Sequence, residues 1–146
     1  MFKIDKNNLP KTLFEAIELI VRGLNAEEIE FIKSQKDAGL IHHTVGMQLR
    51  NGLGLWGKNS PIVEDVKKKY KIFGHPDDIS GLIFAGVFSA VKGKDVDKAL
   101  EKEVKSYISH WKRHGTCPET GEKIKGFKEP NSITFKLDND GKISYD

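Results

Sequence analysis

Three short stretches of the chain carry most of its chemistry: His42-His43-x-x-Gly46-Met47-x-x-Arg50-Asn51, then Gly54-Leu55-Trp56, then His75-Pro76-Asp77-Asp78-x-Ser80-Gly81. On a helix His43, Met47 and Arg50 stand at i, i+4 and i+7, so His43 and Arg50 face one way with Asn51 beside them. If that face meets the start of the helix that Pro76 opens, an imidazole, a guanidinium and two carboxylates share one small volume. Such a group can bind an anion or exchange protons. A structural reading of the same residues stands beside this one. Asp77 and Asp78 in a first turn complement the helix dipole, Arg50 can bridge to one of them as a strut, and Ser80 suits a bond to backbone better than a nucleophile's role.

As a site, the roles divide. His43, His75 and Asp78 are the candidates for proton transfer, and Arg50, Asn51, Trp56, Asp77 and Ser80 are the candidates for holding a ligand. No metal or cofactor is expected. His43, His75 and Asp78 are the best ligands the sequence offers, but no strand precedes the HPDD segment and the histidines lack the HExxH spacing. His110 and His114 form an i, i+4 pair flanked by Lys112 and Arg113, which reads as a solvated face. Cys117 without a second cysteine makes no zinc knuckle and reads as a loop thiol.

The elements that must position these residues follow from periodicity. Leu13, Phe14, Ile17, Ile20, Val21 and Leu24 recur at helical spacing within 10–23, with Pro10 suited to the first turn. Asn25 and Glu28 form a capping box for a second helix, and a third runs over about 38–51 before the glycine turn. Ser60-Pro61 opens a fourth helix whose inner face is Ile62, Val63, Val66, Tyr70 and Phe73 and whose end is Gly74. The stretch to Val91 is apolar nearly all round, the pattern of a central helix. Asp95 caps a sixth helix with Val96, Leu100, Val104, Tyr107, Ile108 and Trp111 on one stripe. Beyond it, period-two alternation around Asn139-Asp140-Gly141 predicts a hairpin with Leu137 opposite Ile143 and Phe135 opposite Tyr145. The expected fold is mainly α: five to six helices around the apolar helix 79–91, with a C-terminal β-hairpin over 132–145. The expected organisation is a helical domain, 1–115, carrying a loop and hairpin appendage, 116–146.

The pattern of a histidine, Gly and Arg-Asn on one helix, a Gly-Leu-Trp turn, a serine-capped helix and His-Pro-Asp-Asp-x-Ser-Gly resembles the signature of an uncharacterised domain family of bacteria and phages. The match covers roughly 9–93. His43, Gly46, Arg50, Asn51, Leu55, Trp56, Ser60, His75, Pro76, Asp77, Asp78 and Ser80 fit it position by position, and Gly52 departs from it where a bulkier residue is common. The resemblance implies that these residues belong together and implies no reaction.

Composition sets the outer bounds. At 146 residues, 38% apolar and 31% charged, the chain suits one folded domain, and a net charge of +3 gives no reason to expect nucleic acid. Residues 1–14 lack the apolar run of a signal peptide or membrane helix, so the cytosol is the expected compartment and no membrane is expected as partner. The leading expectation is a binding or regulatory module with a polar pocket for a small anionic ligand or a protein partner, with a homodimer open to it. The alternatives are a small hydrolase or transferase acting on a phosphate-bearing substrate with a histidine base, and an interaction protein using the terminal hairpin.

Overall fold

The structure is a computed structural model that describes residues 5, 7–36, 39–57, 59–127, 135–137 and 143–145, with only the backbone described for 40–45, 135–137 and 143–145. The Thr12 hydroxyl accepts the Glu15 N–H and opens α1 (Leu13–Gly23), so Pro10 lies before the helix and not in its first turn. Asn25 and Glu28 cap each other reciprocally at the start of α2 (Ala26–Ser34), as the spacing predicts. Helix α3 spans Gly39–Gly52. After it Gly54, at φ 66°, takes the left-handed conformation that its missing Cβ permits, and the Leu55 N–H returns to the Arg50 carbonyl at 3.0 Å. That return buries Leu53 and Leu55 and leaves Trp56 outside.

Two expectations for the fourth helix need correction. Helix α4 (Pro61–Tyr70) has Pro61 in its first turn, but the Ser60 hydroxyl makes no capping bond, although the residue is buried. The helix also ends before Phe73 and Gly74. Lys71 turns left-handed at φ 55° and returns its N–H to the Lys67 carbonyl, while the Phe73 N–H is taken by the Pro118 carbonyl at 2.8 Å. A donor drawn to a distant loop cannot continue an i to i−4 ladder.

Helix α5 (Pro76–Val91) is the centre, as its all-round apolar pattern predicts, and α6 (Val96–Arg113) is capped by Asp95 through the Lys98 N–H. Helices α1, α2, α3, α4 and α6 all pack on α5. Ile79, Leu82 and Ile83 of α5 are wholly buried, with Leu13, Leu49, Val66 and Leu100 of its neighbours also at 0% exposure. Each such side chain contributes about 1.5–3 kcal/mol by leaving water. Gly86 sets the approach of α1: a Cβ there would lie 2.3 Å from Ile17 Cδ1.

The expected C-terminal hairpin over 132–145 is corrected, and the fold class with it: among the described residues the fold is mainly helical, with six helices, and a C-terminal β-hairpin is not shown as one of its elements. Within that stretch, 132–134 and 138–142 fall outside the described residues. The described remainder is a backbone pairing, β1 (Phe135–Leu137) with β2 (Ile143–Tyr145), three residues a side. A ladder that short is no independent element of a fold, and its side chains are outside the description, so no apolar face of it is shown against the helices.

Candidate functional site

The site forms where the last turn of α3 meets the first turn of α5. Arg50 reaches across with its side chain only 15% exposed. Its Nη1 donates to Ser80 Oγ at 3.2 Å, and its Nε lies 3.2 Å from Asp77 Oδ1. The guanidinium therefore bridges two helices, the structural role that the sequence leaves open. The Nε contact is ionic without being a directed hydrogen bond: Nε is buried, yet among the described residues no acceptor is aligned with it. Ser80, fully buried, donates its hydroxyl to the Asp77 carbonyl at 2.9 Å, the backbone bond expected of a serine one turn into a helix.

His75 is the N-cap of α5. Its Nδ1 accepts the Asp77 N–H at 3.1 Å, which places the proton of the neutral ring on Nε2. The same Nδ1 lies 3.8 Å from Asp77 Oδ2. One carboxylate thus stands between a guanidinium and an imidazole, and it is 55% exposed. Aromatic rings surround the imidazole: Trp56 at 5.9 Å, Trp111 at 5.6 Å and Phe73 at 6.2 Å between centroids.

Asp78 is tied to α6. Its Oδ2 accepts the Trp111 indole N–H at 2.7 Å. Burial raises the Asp78 carboxyl above the usual carboxylate range, and Asp77 adds to the rise, while the Trp111 hydrogen bond and the positive charge available at His75 and His110 oppose it. Its hydrogen bond to Trp111 and the Nδ1 cap of His75 leave Asp78 and His75 with separate partners.

Of the residues singled out by sequence, Arg50, Asp77 and Ser80 come together, and His75 and Trp56 border them. Asp78 joins through the same turn but binds Trp111. Asn51 is exposed, and its carbonyl accepts the Gly54 N–H. His43 lies on α3 with its side chain outside the described residues. Phe73, Trp111 and His110 are members that the motif does not announce. Trp111 is legible only as part of the apolar stripe of α6, because its partner lies 33 residues away. Among the described residues no three His, Cys, Asp or Glu are grouped to hold a metal ion. His110 and His114 pack ring to ring at 4.6 Å. At Cys117 the Thr120 hydroxyl and the Thr120 and Glu119 amides lower the thiol below its ordinary value. A groove of about 330 Å³ lies elsewhere, between residues 8–10 and Glu15, Glu18, Leu19 and Arg22. Among the described residues no helix is long and apolar enough to cross a membrane.

Residues 9–90 match the model of a family described as a domain of unknown function (DUF6794). No curated protein and no solved structure matches the chain. The matched stretch stops short of α6, so Trp111 and His110 reach the site from outside it.

Proposed function

We propose, from the premise that the chain belongs to the DUF6794 family, that it is a binding or regulatory module holding a small anionic ligand, or an anionic group of a protein partner, at Arg50. The compartment we assign is the cytosol of a bacterium or of a phage-infected cell. The observation that carries this reading is the Arg50 guanidinium. It is held between helices beside an exposed carboxylate, with a buried Nε that has no aligned acceptor among the described residues. A carboxylate or phosphate oxygen entering in the guanidinium plane can supply the alignment that Asp77 does not. Trp56, 58% exposed, offers a wall, and the Nε2–H of neutral His75 offers a further donor. The arrangement favours binding over turnover. His75 Nδ1 caps a helix, Asp78 is held by Trp111, and the buried Ser80 hydroxyl donates to backbone.

Asp77 occupies the place of the anion on Arg50, so removing its charge tests the reading. Asp77→Asn keeps the side-chain shape and is expected to bind sulfate more tightly than wild type by calorimetry. Arg50→Ala, with its helical circular dichroism intact, is expected to lose binding. Sulfate binding that survives Arg50→Ala, or that is absent from both wild type and Asp77→Asn, overturns the proposal.

A further inference from the structure

The Asp77 carboxylate has two suitors. Its Oδ1 lies 3.2 Å from Arg50 Nε and its Oδ2 lies 3.8 Å from His75 Nδ1, on the nitrogen that accepts the Asp77 N–H. That nitrogen cannot accept and be protonated at once. When it takes a proton from solvent it ceases to accept the amide and becomes a cationic donor. Asp77 Oδ2, 3.8 Å away, is an acceptor for that new donor. Asp77 is exposed, so its released N–H passes to water at little cost.

We propose that His75 is a proton-operated switch for Arg50: protonation at Nδ1 draws the Asp77 carboxylate off the guanidinium and opens Arg50 to an incoming anion. This rests on the anion-binding reading and adds its regulation. Trp56, Phe73 and Trp111 pack aromatic rings around the imidazole. Among the described residues, the charged and titratable groups of this neighbourhood are Arg50 on α3, Asp77 and Asp78 on α5, and His110 and Tyr107 on α6, the last two acting through Asp78. Imidazole is the side chain that ordinarily ionises between about pH 5 and 8, and that is the range in which the switch is tested.

The test reads Arg50 directly. In ligand-free, ¹⁵N-labelled full-length protein, the Arg50 Nε–H resonance is followed from about pH 5 to 8 together with the His75 ring signals. Wild type is expected to show an Arg50 shift with the same midpoint as the His75 ring. His75→Asn, which caps a helix and does not titrate, is expected to show none. An Arg50 resonance that stays fixed while His75 titrates, or that moves identically in His75→Asn, overturns the switch. Sulfate, a dianion throughout this range, is then expected to bind wild type up to about fivefold more tightly at pH 5.5 than at pH 8, the ceiling for one partly exposed ion pair. The ratio should fall to one in His75→Asn and in Asp77→Asn. Equal wild-type affinity at both pH values overturns the switch and leaves the binding reading standing. Sulfate bound by neither wild type nor Asp77→Asn overturns the binding reading, and the Arg50 resonance alone then decides the switch.

Discussion

Replacing Trp111 by Phe removes one hydrogen bond and keeps most of the ring. The bond runs 2.7 Å from the indole N–H to Asp78 Oδ2 and joins the first turn of α5 to the last turns of α6. Its acceptor is a carboxylate that burial already pushes toward its neutral form, so the loss leaves a half-buried charge without its donor. Hydrogen bonds to charged groups contribute about 1.5–3 kcal/mol, and we expect Trp111→Phe to cost about 2 kcal/mol at pH 7. For a chain of this length that lowers Tm by about 6 °C. Asp78→Asn keeps an acceptor for the indole and removes the desolvated charge, so it should change stability by less than about 0.5 kcal/mol.

The pH dependence has a definite sign. The indole N–H favours the ionised carboxyl, so its contribution is present at neutral pH and fades as Asp78 takes up a proton. The Trp111→Phe deficit should therefore shrink as pH falls toward 4. The carboxyl's net shift works the other way. Because its folded pKa lies above the ordinary value of 3.8, Asp78 contributes stability that is fully present below that value and is lost as pH rises through the folded pKa. Asp78→Asn should thus look most favourable at neutral pH. Urea unfolding followed by circular dichroism, on wild type, both single variants and the double variant at pH 7 and pH 4, closes a cycle. We expect a coupling of about 1–2 kcal/mol at pH 7. A Trp111→Phe cost under about 0.5 kcal/mol, or an Asp78→Asn cost equal to it, refutes the reasoning.

Substitutions at Ser60, Asp65 and Gly86 have expected outcomes. Ser60→Ala should leave urea stability unchanged or slightly raised, against the usual loss of about 1 kcal/mol at an N-cap, because the buried Ser60 hydroxyl makes no bond among the described residues. Asp65 Oδ2 accepts the Leu13 N–H at 2.9 Å and pins the start of α1 to α4, so Asp65→Ala should cost about 1–2 kcal/mol and Asp65→Asn clearly less, both read from thermal unfolding. Gly86→Ala should cost about 1 kcal/mol net, because a methyl lands 2.3 Å from Ile17 Cδ1 and overpacking outweighs the gain in helix propensity. Adding Ile17→Val removes that methyl and should recover part of the loss in the same assay.

What could be read in the sequence was local or periodic. The Asn25–Glu28 box, the Asp95 cap and the apolar girth of α5 each follow from spacing within a few residues, and each stands in the structure. The end of α4 was not legible, since it depends on the Phe73 N–H finding the Pro118 carbonyl, a partner in another element. Ser60 has the right residue type for a cap but not the bond. The motif correctly brings Arg50 to Asp77 and Ser80, because both ends of that contact lie within it. It does not reveal Trp111 and Phe73 around His75, because α6 and the 116–121 loop are placed by packing that no spacing encodes. The hairpin expectation rests on alternation, which gives only a propensity, and the described backbone holds of it a three-residue pairing too short to count as an element of the fold.

Every other helix among the described residues packs on α5, which limits how the site can move. Amides in its middle turns can exchange with solvent only when the surrounding helices separate, which makes opening there as rare as complete unfolding. The Pro76–Ser80 turn is the end of that most protected rod. Ligand entry is therefore expected to be accommodated by side chains and first-turn amides, without opening of the α5 core beneath the site. In hydrogen-exchange terms, a bound anion should leave the α5 core amides unchanged and slow only those of Asp77 and its immediate neighbours.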